Sequence, residues 1–262
     1  CLIGVIVPKI NSESISRITE GIGQILAKSG YQMLLTITNN NSSKELEYVD
    51  LFEAYPVDGI ILVGTVLTRA HKKKLKECKV PIVVIGQYTK ETSCVYHDDY
   101  GAAKALAEQV GREASGRVAY IGVTREDKAA GAAREDGFRE GLKEVGKELE
   151  ESCLRRAKFT MESGYEQAVD LLEKEHDIDI ISCATDTIAA GAIEAIAQYS
   201  PERKIQVTGF GDNQFLKAVT GGIRTVHFAY QTSGIKGAEL LLEMIESEKT
   251  RMTEMKLGCE LV

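Results

Sequence analysis

Polar residues stand directly after several apolar segments that have the composition of buried strands. They are Asn11 and Ser12, then Gln87 and Tyr88 after Gly86, Thr185 and Asp186 after Ile180–Cys183, and Asp212 and Asn213 after Gly209-Phe210. Such amide, hydroxyl and carboxylate groups supply the directional hydrogen bonds that a polyhydroxylated ligand needs. Because the same residue types are common in turns and helix caps, each position alone also fits a structural role. Together they favour a binding site for a small polar ligand.

Catalytic chemistry has little support. Asp186 follows a buried strand, but no second carboxylate is paired with it for general acid–base work, and a helix cap or a ligand contact explains it as well. The sequence contains no G-x-x-x-x-G-K-[ST], G-x-S-x-G or H-E-x-x-H motif. We therefore predict that the protein is not an enzyme.

Metal and cofactor sites are not predicted either. The histidines are scattered, at positions 71, 97, 176 and 227, and no cysteine pair has C-x-x-C spacing. The sequences Gly21-Ile22-Gly23 and Gly209-Phe210-Gly211 begin like a dinucleotide fingerprint, but its third glycine is replaced by Leu26 and Gln214. We interpret these glycines as packing and turn residues.

The six cysteines leave two interpretations open. An even number permits a disulfide framework, but a chain of 262 residues can build its own core, which favours free thiols in a reducing cytosol. No apolar run of 18 residues suggests a membrane span.

The net charge of −7 argues against a broad DNA-binding or membrane-binding surface on this chain. A basic run, Lys72-Lys73-Lys74 with Lys76, lies within 69–79. A solvated helix face is the favoured interpretation of this run, and a docking patch for a partner is the alternative.

An internal repeat indicates the fold. The spacing of Glu20-Gly21-Ile22, Leu26 and Gly30 recurs in Asp136-Gly137-Phe138, Leu142 and Gly146 at an offset of 116 residues. Val57-Asp58-Gly59-Ile60-Ile61 likewise matches Ile178-Asp179-Ile180-Ile181, and Pro81–Ile85 loosely matches Ile205–Gly209. Three matches in the same order favour duplication of one structural unit.

Each copy alternates strands rich in Val, Ile and Leu with amphipathic helices, which predicts an α/β fold of two doubly wound parallel-sheet lobes. The predicted lobes comprise 1–114 with 228–255, and 115–227 with 256–262. A C-terminal helix at about Thr232–Glu248 would return to one lobe, so that the lobes share several crossovers and open as a hinge. Ligands of such sheets bind outside the carboxyl ends of the strands, which predicts a site in the cleft between the lobes.

Over essentially its whole length the chain resembles the effector-binding core of the lactose-repressor/galactose-repressor family, whose fold is periplasmic-binding-protein-like. The residues that carry the resemblance are Ile3–Pro8, Gly21-Ile22, Gly30-Tyr31, Val57–Ile61, Asp98–Ala102, Ala133-Arg134, Gly137-Phe138, Ser163–Tyr165, Thr185-Asp186, Ala189–Ala192, Gly209-Phe210 and Thr225-Val226.

The resemblance implies a cytoplasmic homodimeric regulator that binds operator DNA through an N-terminal helix-turn-helix headpiece. These 262 residues do not contain that headpiece, and the first strand begins abruptly at Leu2, so we expect that an upstream segment has been removed. In the family, binding of the effector shifts the N-terminal lobes and thereby changes the affinity for DNA.

The resemblance implies roles for four site residues. Arg134 matches an arginine that bonds sugar hydroxyls, Phe159 an aromatic stacking position, Tyr96 a pocket-lining position, and Thr185 a position that is usually asparagine. With the polar residues described above and Phe228, they complete the predicted ligand site: Asn11, Ser12, Gln87, Tyr96, Arg134, Phe159, Thr185, Asp186, Asp212 and Phe228.

Departures from the family pattern bear on the ligand. Gly86 and Gly211 stand where relatives often carry carboxylates, Phe228 replaces a common glutamine, and the loop after the first strand lacks the usual aromatic pair. Asp212, one residue after Gly211, is a candidate substitute for a lost carboxylate. The extra room suits a disaccharide or a sugar phosphate.

The leading interpretation is thus the effector-binding core of a sugar-responsive repressor. The alternative is an extracytoplasmic sugar-binding protein of a transporter, against which the six cysteines and the absence of tryptophan count. An upstream helix-turn-helix would favour the first interpretation, and an upstream signal peptide the second.

Overall fold

Strands and helices alternate along the chain, as the repeat predicts. The computed structural model describes residues 1–247 and 252–262. Within them the helices are α1 (Glu13–Lys28), α2 (Ser42–Ala54), α3 (Arg69–Glu77), α4 (Asp99–Glu113), α5 (Arg134–Glu144), α6 (Met161–Lys174), α7 (Asp186–Tyr199), α8 (Gln214–Thr220) and α9 (Tyr230–Glu246). A π-helix at Lys128–Ala133 precedes α5, and a 3₁₀ turn spans Glu151–Cys153.

The strands belong to two sheets. They are β1 (Leu2–Val7), β2 (Gln32–Ile37), β3 (Gly59–Val63), β4 (Ile82–Ile85), β5 (Ser93–His97), β6 (Arg117–Gly122), β7 (Leu154–Arg156), β8 (Ile178–Cys183), β9 (Gln206–Phe210), β10 (Arg224–Phe228), β11 (Glu254–Leu257) and β12 (Cys259–Leu261). The sheet orders are β11-β5-β4-β3-β1-β2 and β12-β10-β9-β8-β6-β7. Each strand of the first sheet thus has a counterpart at the same place in the second, which supports the inferred duplication.

The first unit comprises Cys1–His97 and Ala229–Gly258. Its described strands are all parallel to their neighbours. Alternate side chains of β1 point to opposite faces of the sheet. Ile3 and Val5 join the core under α1 and α9, whereas Ile6 joins the core with Phe52 and Leu75 of α2 and α3.

The second unit comprises Asp98–Phe228 and Cys259–Val262. Its β6–β10 strands are parallel, but the edge strand β12 runs antiparallel to β10, which departs from the predicted all-parallel sheet. An antiparallel edge strand is common on an otherwise parallel α/β sheet. The helices pack as the pairs α4–α5 and α6–α7.

The unit boundaries differ from the predicted ones. Helix α4 falls in the second unit, because Gly137 and Gly141 of α5 bring the two helix backbones together: a Cβ at either position would collide with the carbonyl oxygen of Tyr100 or Lys104. The predicted boundary at 255/256 also divides β11, which pairs with β5 over its whole length. The observed boundary follows Gly258 instead.

The C-terminal helix α9 begins two residues earlier than predicted and belongs to the first unit. The predicted end at Glu248 lies outside the described residues. Among the helices that are described, none is long and apolar enough to cross a membrane.

Candidate functional site

The order of the strands shows where a ligand would bind in each unit. In a doubly wound sheet, successive helices change faces at one point, and the crevice outside the carboxyl ends of the two strands at that point is the usual ligand site. In the first unit it lies between β1 and β3, and in the second between β6 and β8. The loops that follow these four strands are therefore the first places to look for binding groups.

Arg134 is the best-defined group beside the second of these points. The carboxylate of Asp127 accepts from the backbone of Ala129 and Ala130 at the start of the π-helix, which leads directly into Arg134. The Nε atom of Arg134 donates to Oδ1 of Asp99 at 2.8 Å, and its Nη1 donates to the carbonyl oxygen of Ala184 at 2.6 Å. Since Ala184 directly follows β8, the guanidinium is fixed at the carboxyl end of that strand.

Two aromatic rings hold the same guanidinium. Its central carbon lies 4.9 Å from the ring centroid of Phe210 and 4.8 Å from that of Phe228. The rings are stacked, with centroids 6.2 Å apart and planes at 20°. The cation–π contacts and the two hydrogen bonds together fix the plane of the guanidinium. A guanidinium with a fixed plane can present its N–H groups to a ligand in a defined direction. Phe228 is fully buried and supports Arg134.

Thr185 and Asp186 make structural hydrogen bonds. The Thr185 hydroxyl accepts from the backbone of Ile188 and caps α7. The Asp186 carboxylate accepts from the backbone of Asn213 and from the Thr225 hydroxyl, each at 2.7 Å. Burial raises the pKa of Asp186, and these two hydrogen bonds offset part of that rise. Asp186 therefore ties the start of α7 to the loop after β9.

The glycines after β9 have a physical reason in this arrangement. A Cβ at Gly209 would collide with Oδ1 of Asp186, and Gly211 has φ of +140°, a region that favours glycine. The missing carboxylate at Gly211 is thus accompanied by a backbone conformation that an aspartate would not readily adopt.

Asp212 is held by the ammonium group of Lys217 and the imidazole of His227. Its Oδ1 lies 2.7 Å from Nζ of Lys217 and its Oδ2 lies 2.9 Å from Nδ1 of His227. Burial acts to raise the pKa of Asp212, but the hydrogen bonds from Lys217 and His227 outweigh it and lower the pKa below its ordinary value. The carboxylate that was a candidate substitute for the one lost at Gly211 therefore has two partners within the second unit.

Asp212→Asn is expected to lower the free energy of unfolding at neutral pH by about 1 kcal/mol, because the amide has no negative charge to attract the two partners. The expected loss is small because both partners are partly exposed, so that solvent screens their attraction to the carboxylate. Asparagine tolerates the left-handed backbone of this residue, which has φ of +51°. A lowered carboxyl pKa stabilises the fold above the ordinary pKa, and that stabilisation is lost as the pH falls through the folded-state value.

Urea unfolding followed as a function of pH measures this effect. The difference between the unaltered protein and Asp212→Asn should shrink below about pH 3.9, the ordinary pKa of Asp. Asp177→Asn, at an exposed residue of the same unit, is the control. A difference that stays constant down to acid pH would contradict the assigned ion pairs.

Phe159 follows β7 and is half-buried. In the first unit, Asn11 and Ser12 lie between β1 and α1. Ser12 occupies the N-cap position of α1, but its hydroxyl makes no cap hydrogen bond and lies 2.8 Å from that of Ser14. Both loops thus place partly accessible groups at the carboxyl ends of their strands.

Gln87 and Tyr96 are less accessible than their predicted role suggests. Gln87 is 4% exposed. Tyr96 packs with the α2–α3 core and donates to the carboxylate of Glu254 on β11. Its ring is tilted by 60° against that of Tyr88, with centroids 5.4 Å apart. Burial and this hydrogen bond raise the pKa of Tyr96. Its hydroxyl is thus joined to the neighbouring edge strand.

The structure adds groups that sequence reasoning missed. Asp99 was noticed only as part of the resemblance, Phe210 was noticed in short motifs but not as a site residue, and the carbonyl group of Ala184 carries no sequence signal. His71 lies in the stretch 69–79 that was interpreted as a solvated helix face, and no pattern indicated Glu45, yet each is only 1% exposed. No group of three or more potential metal-ligating side chains occurs among the described residues.

The fold and the clustered binding groups place the chain in the class of periplasmic-binding-protein-like α/β proteins with two duplicated units. A family model described as periplasmic binding proteins and sugar binding domain of LacI family matches residues 2–261. The chain therefore belongs to this family.

Curated relatives are transcriptional regulators. The chain is 27% identical over 252 residues to the sucrose operon repressor of Staphylococcus xylosus, covering 94% of this chain and 77% of that protein. It is 24% identical over 250 residues to catabolite control protein A of Priestia megaterium, covering 94% and 75%. In both cases the relative is longer than the matched region.

Solved structures share the fold along the whole chain. The trehalose repressor from Escherichia coli superposes with a TM-score of 0.86 at 20% identity, covering 100% of this chain and 99% of that one. The regulator CcpA of Lactococcus lactis gives 0.89 at 24% identity, covering 100% and 97%. A CelR–cellobiose complex gives 0.89 at 23% identity, covering 100% and 83%.

Proposed function

We propose that this chain is the effector-binding part of a cytoplasmic, sugar-responsive transcriptional repressor. The observation that carries the proposal is the fixed Arg134 guanidinium at the carboxyl end of β8, in a chain that belongs to a family of sugar-binding domains. A planar donor with a fixed orientation suits adjacent hydroxyl groups of a sugar ring. The half-buried ring of Phe159 provides an apolar surface on which such a ring can stack.

The proposed effector is a disaccharide or a sugar phosphate. Asp186 and Asp212 are occupied by hydrogen bonds within the protein, and glycine stands at positions 86 and 211. Fewer carboxylates are thus left to bind a ligand than the family pattern provides. The space that the two missing side chains leave suits a larger sugar, and the reduced negative charge suits an anionic one. The names of a sucrose operon repressor and a CelR–cellobiose complex among the similar proteins support a disaccharide.

Regulation follows from linkage. If the effector binds one DNA-binding state of the whole regulator more tightly than another, it shifts the protein towards that state, and DNA must change the effector affinity by the same factor. In this proposal operator DNA is bound by a helix-turn-helix headpiece outside this chain. The curated relatives named above support a regulator over an enzyme or over a receptor that feeds a transporter.

Thermal unfolding of the chain with a panel of sugars tests the proposal. The panel contains ribose, sucrose, trehalose, cellobiose and the 6-phosphates of the three disaccharides. A ligand that binds only the native state at 100 times its Kd should stabilise it by about 2.7 kcal/mol. Stabilisation by one sugar class at submillimolar concentration is the expected result. A folded chain that no member stabilises would contradict sugar sensing.

A homodimer is also part of this proposal. Large apolar side chains are exposed in each unit. Leu51 lies on α2 and Tyr55 directly follows it, and Phe215 and Val219 lie four residues apart on α8 at 81% and 80% exposure. Exposed apolar patches of this kind on soluble proteins mark interfaces, and a second copy of the chain is the occupant that the proposed regulator requires.

Phe215→Ser with Val219→Ser is expected to weaken self-association at least about tenfold, since each lost anchor costs about 1 kcal/mol or more. Sedimentation velocity over a concentration series measures the monomer–dimer equilibrium. Thr187→Ser, a conservative change on the neighbouring helix α7, is the control. An unchanged sedimentation profile of the double variant would exclude α8 from the interface.

A further inference from the structure

A chain of four hydrogen-bonded polar side chains, two of them buried and two half-buried, lies in the first unit and has no role in the site described above. Glu45 is in the first turn of α2, Thr65 is in the loop after β3, Thr68 is the N-cap of α3, and His71 is in its first turn. The Glu45 and His71 side chains are only 1% and 2% exposed. We call these four side chains the Glu45–His71 relay.

The hydrogen bonds of the relay are continuous. The Thr65 hydroxyl donates to Oε1 of Glu45 at 3.0 Å, and Oε2 of Glu45 lies 3.1 Å from Nε2 of His71. Nδ1 of His71 lies 2.7 Å from the Thr68 hydroxyl and accepts from the Thr68 backbone at 3.3 Å. Because Nδ1 is an acceptor, Nε2 carries the hydrogen and donates a hydrogen bond to Glu45. Both ends of the loop 64–68 are therefore bonded to one buried carboxylate–imidazole pair.

The packing of α2 and α3 does not require these polar groups. Leu75 and Phe52 already bury the two helices against the sheet, and Leu67 packs on the same core. A buried carboxylate–imidazole pair costs desolvation energy, and apolar residues of similar volume often stabilise a fold as well or better. The contribution of the relay therefore lies in the loop conformation that it specifies.

The relay fixes the conformation of the loop 64–68. This loop follows β3, so it borders the point between β1 and β3 at which a ligand of the first unit would bind. Its residues Thr65 and Val66 are half-buried, whereas the backbone before them is fixed by a 3.0 Å bond from Gly64 to Ile85. Because β1 and β3 are neighbouring parallel strands, this loop and the β1 loop with Asn11 and Ser12 follow the same edge of the sheet.

We propose that Glu45 and His71 are positioning residues for the effector: they hold the loop 64–68 in the conformation that contacts the sugar. This inference rests on the proposed function, since it concerns how the first unit contacts the proposed effector. Neither residue touches the ligand. Their contribution is preorganisation, which raises affinity by removing the cost of ordering the loop on binding.

The test uses variants that break the relay at different bonds. Glu45→Gln removes the charge at its centre. His71→Asn keeps an acceptor near the Nδ1 position for Thr68 but no longer reaches Glu45. Thr65→Val detaches only the loop hydroxyl. Glu47→Gln, at an exposed position of the same helix, is the matched control.

Hydrogen–deuterium exchange of the whole chain without ligand is the first readout. We expect amides of the loop 64–68 to exchange about tenfold faster in Glu45→Gln and His71→Asn, while peptides of the second unit and the Glu47→Gln control stay unchanged. Unchanged exchange in the loop would overturn the relay even if a sugar binds. This readout does not depend on the effector, so it also decides the relay if the sugar panel fails.

Affinity for the sugar that stabilises the unaltered chain is the second readout. Kd is expected to rise about tenfold in Glu45→Gln and in Thr65→Val, and the double variant should lose little more than either alone, because both break one chain of bonds. A purely structural pair would lower the melting temperature and leave Kd unchanged, which would overturn the positioning role. Additive losses in the double variant would likewise contradict a single relay.

Discussion

Replacing Arg134 by methionine is expected to abolish effector binding and to lower the free energy of unfolding by about 3–5 kcal/mol. The side chains of Arg134 and Asp99 are only 8% and 6% exposed, so the variant leaves a buried carboxylate without its cation. Methionine is unbranched and apolar, so it can pack beside the rings of Phe210 and Phe228 in place of the arginine side chain. The cost arises mainly from the uncompensated charge on Asp99.

A double variant separates the two expected losses. Adding Asp99→Asn to Arg134→Met removes the buried charge, and most of the lost stability should return because an amide is less costly to bury than a carboxylate. Effector binding should not return, because the guanidinium is still missing. Urea unfolding measures stability, and calorimetric titration with the sugar found in the panel measures binding.

Lys143→Met is the control for Arg134→Met. It removes one positive charge from an exposed position of the same helix, so neither stability nor Kd should change measurably. Two results would contradict the assignment of Arg134: a single variant that binds the sugar with unchanged Kd, or a double variant that regains binding together with stability. The second would show that Arg134 acts only by neutralising Asp99.

Apolar patterning was sufficient to predict much of the fold. The first strand begins at Leu2, as predicted. The sequence repeat that matched Gly21 with Gly137 agrees with the two sheets, which have equivalent strand orders. Runs of buried Val and Ile define such strands without reference to the rest of the chain. The division into units was harder to predict, because α4 is assigned by its contact with α5, and that contact depends on Gly137 and Gly141 from a distant part of the chain.

The site could be predicted only at the level of single positions. Arg134 followed from the resemblance, but its partners Asp99 and Ala184 are 35 and 50 residues away along the chain, and no local pattern connects them. Phe228 was predicted as a site residue from its position, but no local pattern indicated that it packs against Arg134. Asp212 shows the same limit, since whether its carboxylate is accessible depends on Lys217 and His227.

The segment that places Arg134 was read from the sequence as a loop running into a helix, with no sign of a π-helix. Gly131 lies within that π-helix, and a Cβ there would collide with the carbonyl oxygen of Thr124 and lie 2.8 Å from its carbonyl carbon and 3.2 Å from Cα of Arg125. All three atoms belong to the backbone, so the collision cannot be relieved by a side-chain rotation. π-Helical turns are rare and are frequently found at functional sites.

Gly131→Ala should therefore displace the π-helix and, with it, the guanidinium of Arg134. We expect a loss of about 2–3 kcal/mol in the free energy of unfolding and at least a tenfold rise in Kd for the sugar. Gly23→Ala is the matched control, because Gly23 lies in α1 with no atom near its would-be Cβ. That substitution should stabilise the protein by about 0.5–1 kcal/mol, since alanine has the higher helix propensity. If Gly131→Ala lowers the free energy of unfolding and Gly23→Ala raises it, close backbone packing, and not helix propensity, determines the conformation at Gly131. A neutral Gly131→Ala variant with unchanged Kd would show that the π-helix does not control the position of Arg134.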